Sequence, residues 1–404
     1  MRRRRTTVRI ALAAATALAA AAGMVGLPPA PPAAAAGLTA VASFGSNPGN
    51  LGMYEYVPVA LPAQPAVVVA MHGCTQTASD YYANSGWPKF ADRYGFVLVF
   101  PEQRTGNNSN RCFNWFQSGD TTRGQGEALS VRQMVDTAVT AHQGDRARVY
   151  VTGLSAGGAM TSVLLATYPD VFAGGGVIAG LPYGCATNVA SAYSCMNPGV
   201  DKTPSQWAQL VRNAYPGYTG PYPRVAIWHG TADTTVVPAN ATESRDQWVG
   251  VHGLSTTPTS TGSLPGPTTR ETYGSGQVQV NRVQGMNHGT PVDPGSGDTQ
   301  CGTAAAYFLD VNVCSSFYTA QFWGLTGGTP TPSPTATASP TAPAATCHTS
   351  SNYTHVQAGR ATTRLGYTYA VGSGQAMGLY NTFVVHTLKQ SPPGYYTLAD
   401  ASCP

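Results

Sequence analysis

The sequence predicts an α/β fold, a mostly parallel sheet covered by helices on both faces, joined through a linker to a small all-β module. Three observations carry this. Short apolar runs alternate with stretches whose apolar residues recur at helical spacing, the pattern of strand and crossover helix. One apolar run ends in "TGLSAGGAM" (152–160) and passes directly into a helical pattern. From residue 325 the text changes to "LTGGTPTPSPTATASPTAPAAT". That composition has no apolar periodicity and reads as an extended, semi-rigid linker over 325–346.

The chain begins "MRRRRTTVRIALAAATALAAAAGMVGL", with arginines ahead of an apolar run, followed by the small residues of "PPAAAA". This is the pattern of a secretory signal peptide, assigned to residues 1–36 and excluded from the fold. The run from Ile10 to Leu27 has about the length of a membrane span, but it is Ala-rich and ends in a cleavage pattern. The expectation is an extracellular protein with no membrane association after cleavage. The leader takes five arginines and no acid with it, so the formal net charge moves from +4 to −1. A near-neutral chain lacks the basic footprint of a nucleic-acid binder.

Eight cysteines, an even number, are expected to form disulfides in an exported chain. Sequence order suggests Cys74–Cys112, Cys185–Cys195, Cys301–Cys314 and Cys347–Cys403. None has the C-x₂-C spacing of a zinc site, so no metal is expected.

The large domain is expected over 37–324. Its strand candidates are "AVVVAM" (66–71), "FVLVF" (96–100), "RVYVTG" (148–153), "GGVIAG" (175–180), "RVAIWHG" (224–230) and "QVQVNRV" (277–283). Between them, 126–143 places Val131, Met134, Val135, Ala138 and Val139 on one helical face, and 158–168 has similar spacing. Ligands on such sheets sit beyond the carboxyl ends of the strands.

Gly153-Leu154-Ser155-Ala156-Gly157 is the chain's G-x-S-x-G match. With a strand before it and a helix after it, the motif reads as a nucleophile elbow carrying Ser155. A serine hydroxyl needs a base to become a nucleophile at neutral pH. The chain order Ser, Asp, His selects Asp233 in "VAIWHGTADTTVVP" and His288 in "VQVNRVQGMNHGTPVD". Both follow strand candidates and are expected at the same sheet edge as Ser155. His229 reads as a satisfied structural histidine, His252 as a loop residue and Asp246 as a residue of an exposed helix. Asp293 lies only five residues beyond His288. Two preorganised N–H donors are needed for an oxyanion. The backbone of Ala156 is one, and that of Cys74, in the loop after "VVVAM", is the other. His72 either shapes that loop or takes part directly.

"MHGCTQTASDYY", "GLSAGGAM", "IWHGTADTTVVPAN" and "MNHGTPVDPG" together resemble the extracellular poly(3-hydroxybutyrate) depolymerases and their secreted esterase relatives, which include feruloyl and acetylxylan esterases. The resemblance spans nearly all of 45–324. It implies an α/β-hydrolase fold, no cofactor, and a triad falling on Ser155, Asp233 and His288. His72 falls on the family's oxyanion histidine, ahead of the serine motif. Asn287 departs from the pattern, where a small residue is expected.

The tail, 347–404, resembles the C-terminal modules of such depolymerases. Its own composition agrees. It is Tyr/Thr/Gly-rich with period-2 stretches such as "GYTYAV" and "NTFVVHTL", which predict an all-β module. Tyr353, Tyr367, Tyr369, Tyr380, Phe383, Tyr395 and Tyr396 offer core and surface aromatics. Exposed ones suit an insoluble polyester surface, or sugar rings in the alternative of a carbohydrate esterase. A binding protein on an inactive scaffold is disfavoured by the complete Ser/Asp/His set. Trp115 and Tyr183 are the expected lining of the chain-binding cleft, and a monomer is expected.

Overall fold

The computed structural model describes residues 37–327, 346–364, 366–390 and 395–400. The expected signal peptide (1–36), most of the expected linker and Cys403 lie outside the described residues.

Ten strands form the main sheet: β1 (Thr39–Ala40), β2 (Gly52–Tyr56), β3 (Ala66–Met71), β4 (Phe96–Glu102), β5 (Val149–Leu154), β6 (Gly174–Ile178), β7 (Arg224–Gly230), β8 (Ser260–Leu264), β9 (Thr268–Tyr273) and β10 (Val278–Val283). Their order is β1-β2-β4-β3-β5-β6-β7-β10-β9-β8. The stretch from β4 to β10 is parallel. Both edges are antiparallel. β3 and β5 are buried along their whole length, because helices cover both faces of the sheet. Val67 and Val69 face one core with Met134 and Leu164. Val68 and Ala70 face the other with Trp87, Phe90 and Trp323.

Every predicted strand is present within two residues of its expected ends, and the helices run Gly126–Ala141 and Ala156–Thr167. Three expectations need correction. Asp246 is on a helix, Ala239–His252, but that helix is not exposed there: Asp246 is half-buried beside Arg245, 2.6 Å away. His252 is the last residue of that helix rather than a loop residue. The large unit also runs past residue 324, since Leu325 packs into the second core and its N–H donates to the Ala320 carbonyl.

A separate parallel pair is formed by β11 (Thr290–Val292) and β12 (Phe308–Asp310). The tail forms two three-stranded antiparallel sheets, β13 (Thr346–Ser351), β17 (Val385–Gln390) and β18 (Tyr396–Leu398), and β14 (Ala361–Arg364), β15 (Tyr367–Ala370) and β16 (Ala376–Leu379). One short helix, Asn352–Gln357, accompanies these strands. The Ser351 side chain caps this turn by accepting from Thr354 N–H. Buried Asn352 donates to the Met377 and Leu379 carbonyls at 2.6 and 2.9 Å. Among the described residues, Ala361, Ala370, Met377 and Leu388 form its buried apolar cluster, with Val356, Tyr396 and Leu398 packed against it.

Cys74–Cys112, Cys185–Cys195 and Cys301–Cys314 are bonded as expected. Cys347 is also disulfide-bonded, while the expected partner Cys403 falls outside the described residues. Among the described residues no helix is long and apolar enough to cross a membrane.

Candidate active site

Ser155 sits where β5 turns into the helix Ala156–Thr167, at φ 56° and ψ −116°. Such a conformation is strained for a residue with a Cβ and marks sites where geometry serves function. The turn is held by the Ser155 N–H, which donates to the Ile178 carbonyl at 2.9 Å. The flanking glycines are sterically required. A Cβ on Gly153 would lie 2.5 Å from the Gly157 carbonyl, and one on Gly157 would lie 2.5 Å from the His72 carbonyl oxygen. Ala156 is the first helical residue, where an N–H has no intrahelical partner and the helix dipole is positive.

The parallel register brings the loops after β3, β5, β7 and β10 to one edge. Asp233 is buried in the turn after β7. Its Oδ1 accepts the N–H groups of Thr235 and Val236, both at 2.9 Å. Its Oδ2 lies 2.7 Å from His288 Nδ1. That pairing places the proton of a neutral His288 on Nδ1 and leaves Nε2 as the basic nitrogen. Asn287, the departure from the family pattern, has a use: its Oδ1 accepts His288 N–H at 2.8 Å and Thr234 N–H at 3.4 Å, tying the two loops. His229 is a buried structural histidine as expected. Its Nε2–H donates to the Val236 carbonyl at 2.7 Å and lies 3.5 Å from Asp233 Oδ2. Burial lowers its pKa. Asp293 accepts from the Gln300 side chain and stays out of this cluster.

Ser155, His288, Cys74 and Trp115 line one open cleft of about 650 Å³. Tyr183 does not. Its N–H and carbonyl are both bonded to the Gln247 side chain, and it packs against the main core.

A direct oxyanion role for His72 is likewise not met. The ring is buried, and Nε2 accepts the backbone N–H of Gln103 at 3.1 Å. Nδ1 must then carry the proton, which it donates to the Gly73 carbonyl at 2.7 Å. Both nitrogens are used inside the protein, so His72 shapes the loop that bears Cys74. Burial lowers its pKa to about 4, which keeps it neutral.

Sequence reasoning missed three groups here. Val189, Ala192, Tyr193 and Met196 line the cleft from the helix Val189–Met196. Their 3–4 spacing just after Cys185 was a usable signal. Tyr307 lines another part and left no sequence signal. Glu127 lies behind the cleft, fully buried. Its carboxyl accepts from Gln103 Nε2 and from Asn114 N–H at 2.8 Å. Gln103 in turn bonds His72, so Glu127 supports the loop from beneath.

Burial, then the charge of Asp120, pushes the Glu127 carboxyl up to about 8. The folded protein thus holds a proton that the unfolded chain releases near the ordinary carboxylate value. Stability from this group is complete below that value and is lost as pH rises through about 8. The lowered histidines act in the opposite direction, but only below about 6.5. Between pH 6.5 and 8 these histidines therefore no longer oppose the Glu127 effect. Tm of the wild type is expected to fall across that window, by an amount on the order of a few kcal/mol in stability. Glu127→Gln is expected to flatten the slope. A flat wild-type profile, or an equal slope in the variant, would refute it.

A serine at a strained strand–helix turn shares one cleft with a His–Asp pair on an α/β-hydrolase sheet, and together with its family and relatives this makes the chain's class a carboxylic ester hydrolase. The esterase PHB depolymerase family matches residues 51–273, and the chain belongs to that family. It is 55% identical over 293 residues to poly(3-hydroxyalkanoate) depolymerase C of Paucimonas lemoignei, covering 72% of this chain and 70% of that one. It is 42% identical over 266 residues to feruloyl esterase B of Thermothelomyces thermophilus, covering 63% and 89%. Among solved structures it resembles the acetyl xylan esterase from Aspergillus awamori, at 34% identity and a TM-score of 0.59 over 62% of this chain and 94% of that one.

Proposed function

We propose that the protein is a secreted serine esterase that hydrolyses poly(3-hydroxybutyrate)-type short-chain polyhydroxyalkanoates. The chemistry rests on Ser155 sharing the cleft with His288, itself bonded to Asp233. His288 Nε2 takes the Ser155 proton as Oγ attacks the ester carbonyl. Asp233 holds the imidazole tautomer and stabilises the imidazolium that forms. The N–H groups of Ala156 and Cys74 stabilise the oxyanion. His288 then protonates the leaving alcohol, and water activated by the same nitrogen releases the acyl group. The polyester substrate is favoured by the 55% identity to a polyhydroxyalkanoate depolymerase, against 42% to a feruloyl esterase. Export is supported by the leader pattern and by disulfides characteristic of oxidising compartments.

The tail is read as the polymer-binding module. Tyr353, Tyr367, Leu379 and Phe383 are exposed there, Phe383 at 89%. Tyr367 and Leu379 are paired across β15 and β16, so they share a face. Apolar contact of this kind needs no pocket and holds the enzyme near its ester bonds by raising effective concentration.

Because Leu325 belongs to the catalytic core, the informative truncation ends at Gly327. It is expected to keep hydrolysis of a soluble short-chain ester within about twofold and to lower granule degradation at least roughly tenfold, by loss of surface concentration. The isolated 347–404 module is expected to bind granules in a salt-resistant way. A carbohydrate esterase is the second reading, favoured by the feruloyl and acetyl xylan esterase relatives. Binding of the tail to insoluble xylan alone, with activity on feruloylated xylan, would replace the polyester reading.

A further inference from the structure

Four large apolar side chains are exposed among residues 37–327: Val59, Val189, Tyr193 and Tyr307. Three of the four line the cleft over Ser155. Single exposed apolar residues are ordinary, but their concentration at one concave site indicates a contact surface.

Each aromatic is held by a rigid carrier rather than by its own packing. Tyr193 is 67% exposed. Its helix, Val189–Met196, is too short to be stable alone. An Asn188/Ser191 capping box starts it and the Cys185–Cys195 disulfide ties it. Asn240 Nδ2 also donates to the Cys195 and Met196 carbonyls near its end. Tyr307 is 45% exposed and sits in the loop closed by Cys301–Cys314. Its φ is 64°, a costly conformation for a bulky residue that persists only where neighbours enforce it. Here they do: the Tyr307 carbonyl accepts Thr290 N–H at 2.8 Å, and the next residue, Phe308, is buried in the core. The Tyr307 ring meets His288 edge-on, with centroids 6.2 Å apart.

The cleft also has polar lining, including the exposed Ser109 and Asn110, while the amides of Asn107 and Asn108 are engaged within the protein. A hydroxyalkanoate chain alternates ester oxygens, which only accept hydrogen bonds, with apolar carbon. The hydroxyl of Ser109 and the amide of Asn110 suit the first and rings the second.

We propose that Tyr193 and Tyr307 are substrate-gripping residues of the catalytic unit, which hold the apolar face of an ester chain beyond the scissile bond and so set the preference for oligomers over minimal esters. This rests on the esterase reading given above and assigns the cleft, independently of the tail, its own selectivity.

The test compares kcat/KM for a 3-hydroxybutyrate trimer with kcat/KM for p-nitrophenyl acetate in the full-length protein. Tyr193→Ala and Tyr307→Ala are each expected to lower the trimer-to-acetate ratio roughly tenfold, from the apolar area of one ring. The loss should fall on KM for the trimer, with its kcat changed less than about threefold. Tyr193→Phe and Tyr307→Phe keep the rings and should restore the ratio. Tyr307→Gly removes the ring with a residue suited to this φ, which guards against misfolding of the alanine variant. Val59→Ser, at the exposed site away from the cleft, should leave the ratio at the wild-type value. A ratio unmoved by loss of both rings, or moved as much by Val59→Ser, overturns the inference. Ethyl ferulate runs in parallel as a third substrate. A wild type active on ferulate but not on the trimer defeats the polyester reading alone, and the ferulate-to-acetate ratio then decides the role of the two rings.

Discussion

Ser155→Ala is expected to reduce ester hydrolysis by roughly 10⁴-fold or more in kcat while the protein stays folded. In the proposed mechanism the reason is the loss of the atom that attacks the carbonyl. His288 would still face the cleft with Asp233 behind it, but it would have no bound hydroxyl to deprotonate. The backbone donors of Ala156 and Cys74 would remain and supply only weak residual catalysis. The fold should tolerate the change. The bond that holds the turn is made by the backbone N–H of residue 155 to Ile178, and alanine keeps the Cβ already accommodated at φ 56°. Hydrolysis of p-nitrophenyl butyrate by the purified variant, beside its circular dichroism and Tm, checks both halves. A folded variant working at near wild-type rate would end the serine-nucleophile reading.

What could be read from the sequence follows burial and locality. β7 has the ends its apolar run predicts, because a central parallel strand is covered on both faces and shows as an uninterrupted run. β8 and β9 did not show: "STGSL" is polar and largely exposed, and "TTRETY" is polar with only its two end residues buried, so they have no apolar period. That Ser155, Asp233 and His288 come together at one edge was legible because an elbow is a local motif and the loops of parallel strands reach that edge. The role of His72 was not, since its tautomer depends on Gln103, which lies just after β4. Tyr307 was hidden because its exposure depends on a left-handed backbone, and Glu127 because a carboxyl is an improbable core residue until its donors are known. Tyr183 failed for the converse reason: an aromatic in a loop near a cysteine looks like cleft lining, yet Gln247 fixes its backbone elsewhere.

Asp233→Asn is expected to cost nearly as much as loss of the serine, roughly 10⁴-fold in kcat, although it exchanges one oxygen for one nitrogen. Asp233 Oδ1 accepts two backbone N–H groups, from Thr235 and Val236. An asparagine must keep its oxygen there, because turning the amide nitrogen toward those donors would leave buried N–H groups unsatisfied. The amide NH₂ then faces His288 Nδ1, where Asp233 Oδ2 had stood 2.7 Å away. A donor in that position can pair only with an unprotonated Nδ1. The imidazole is driven to the tautomer with its proton on Nε2, and that nitrogen can no longer accept a proton from Ser155. His229 cannot substitute for the carboxylate, since its Nε2–H is itself a donor engaged with Val236. The defect should therefore appear in kcat for soluble esters of every chain length, with KM little changed, and it should ease at high pH, where hydroxide bypasses the general base. Tm should fall only modestly because the turn keeps its backbone bonds. A variant retaining more than about a tenth of wild-type kcat at neutral pH would show that the tautomer of His288 is not held by Asp233.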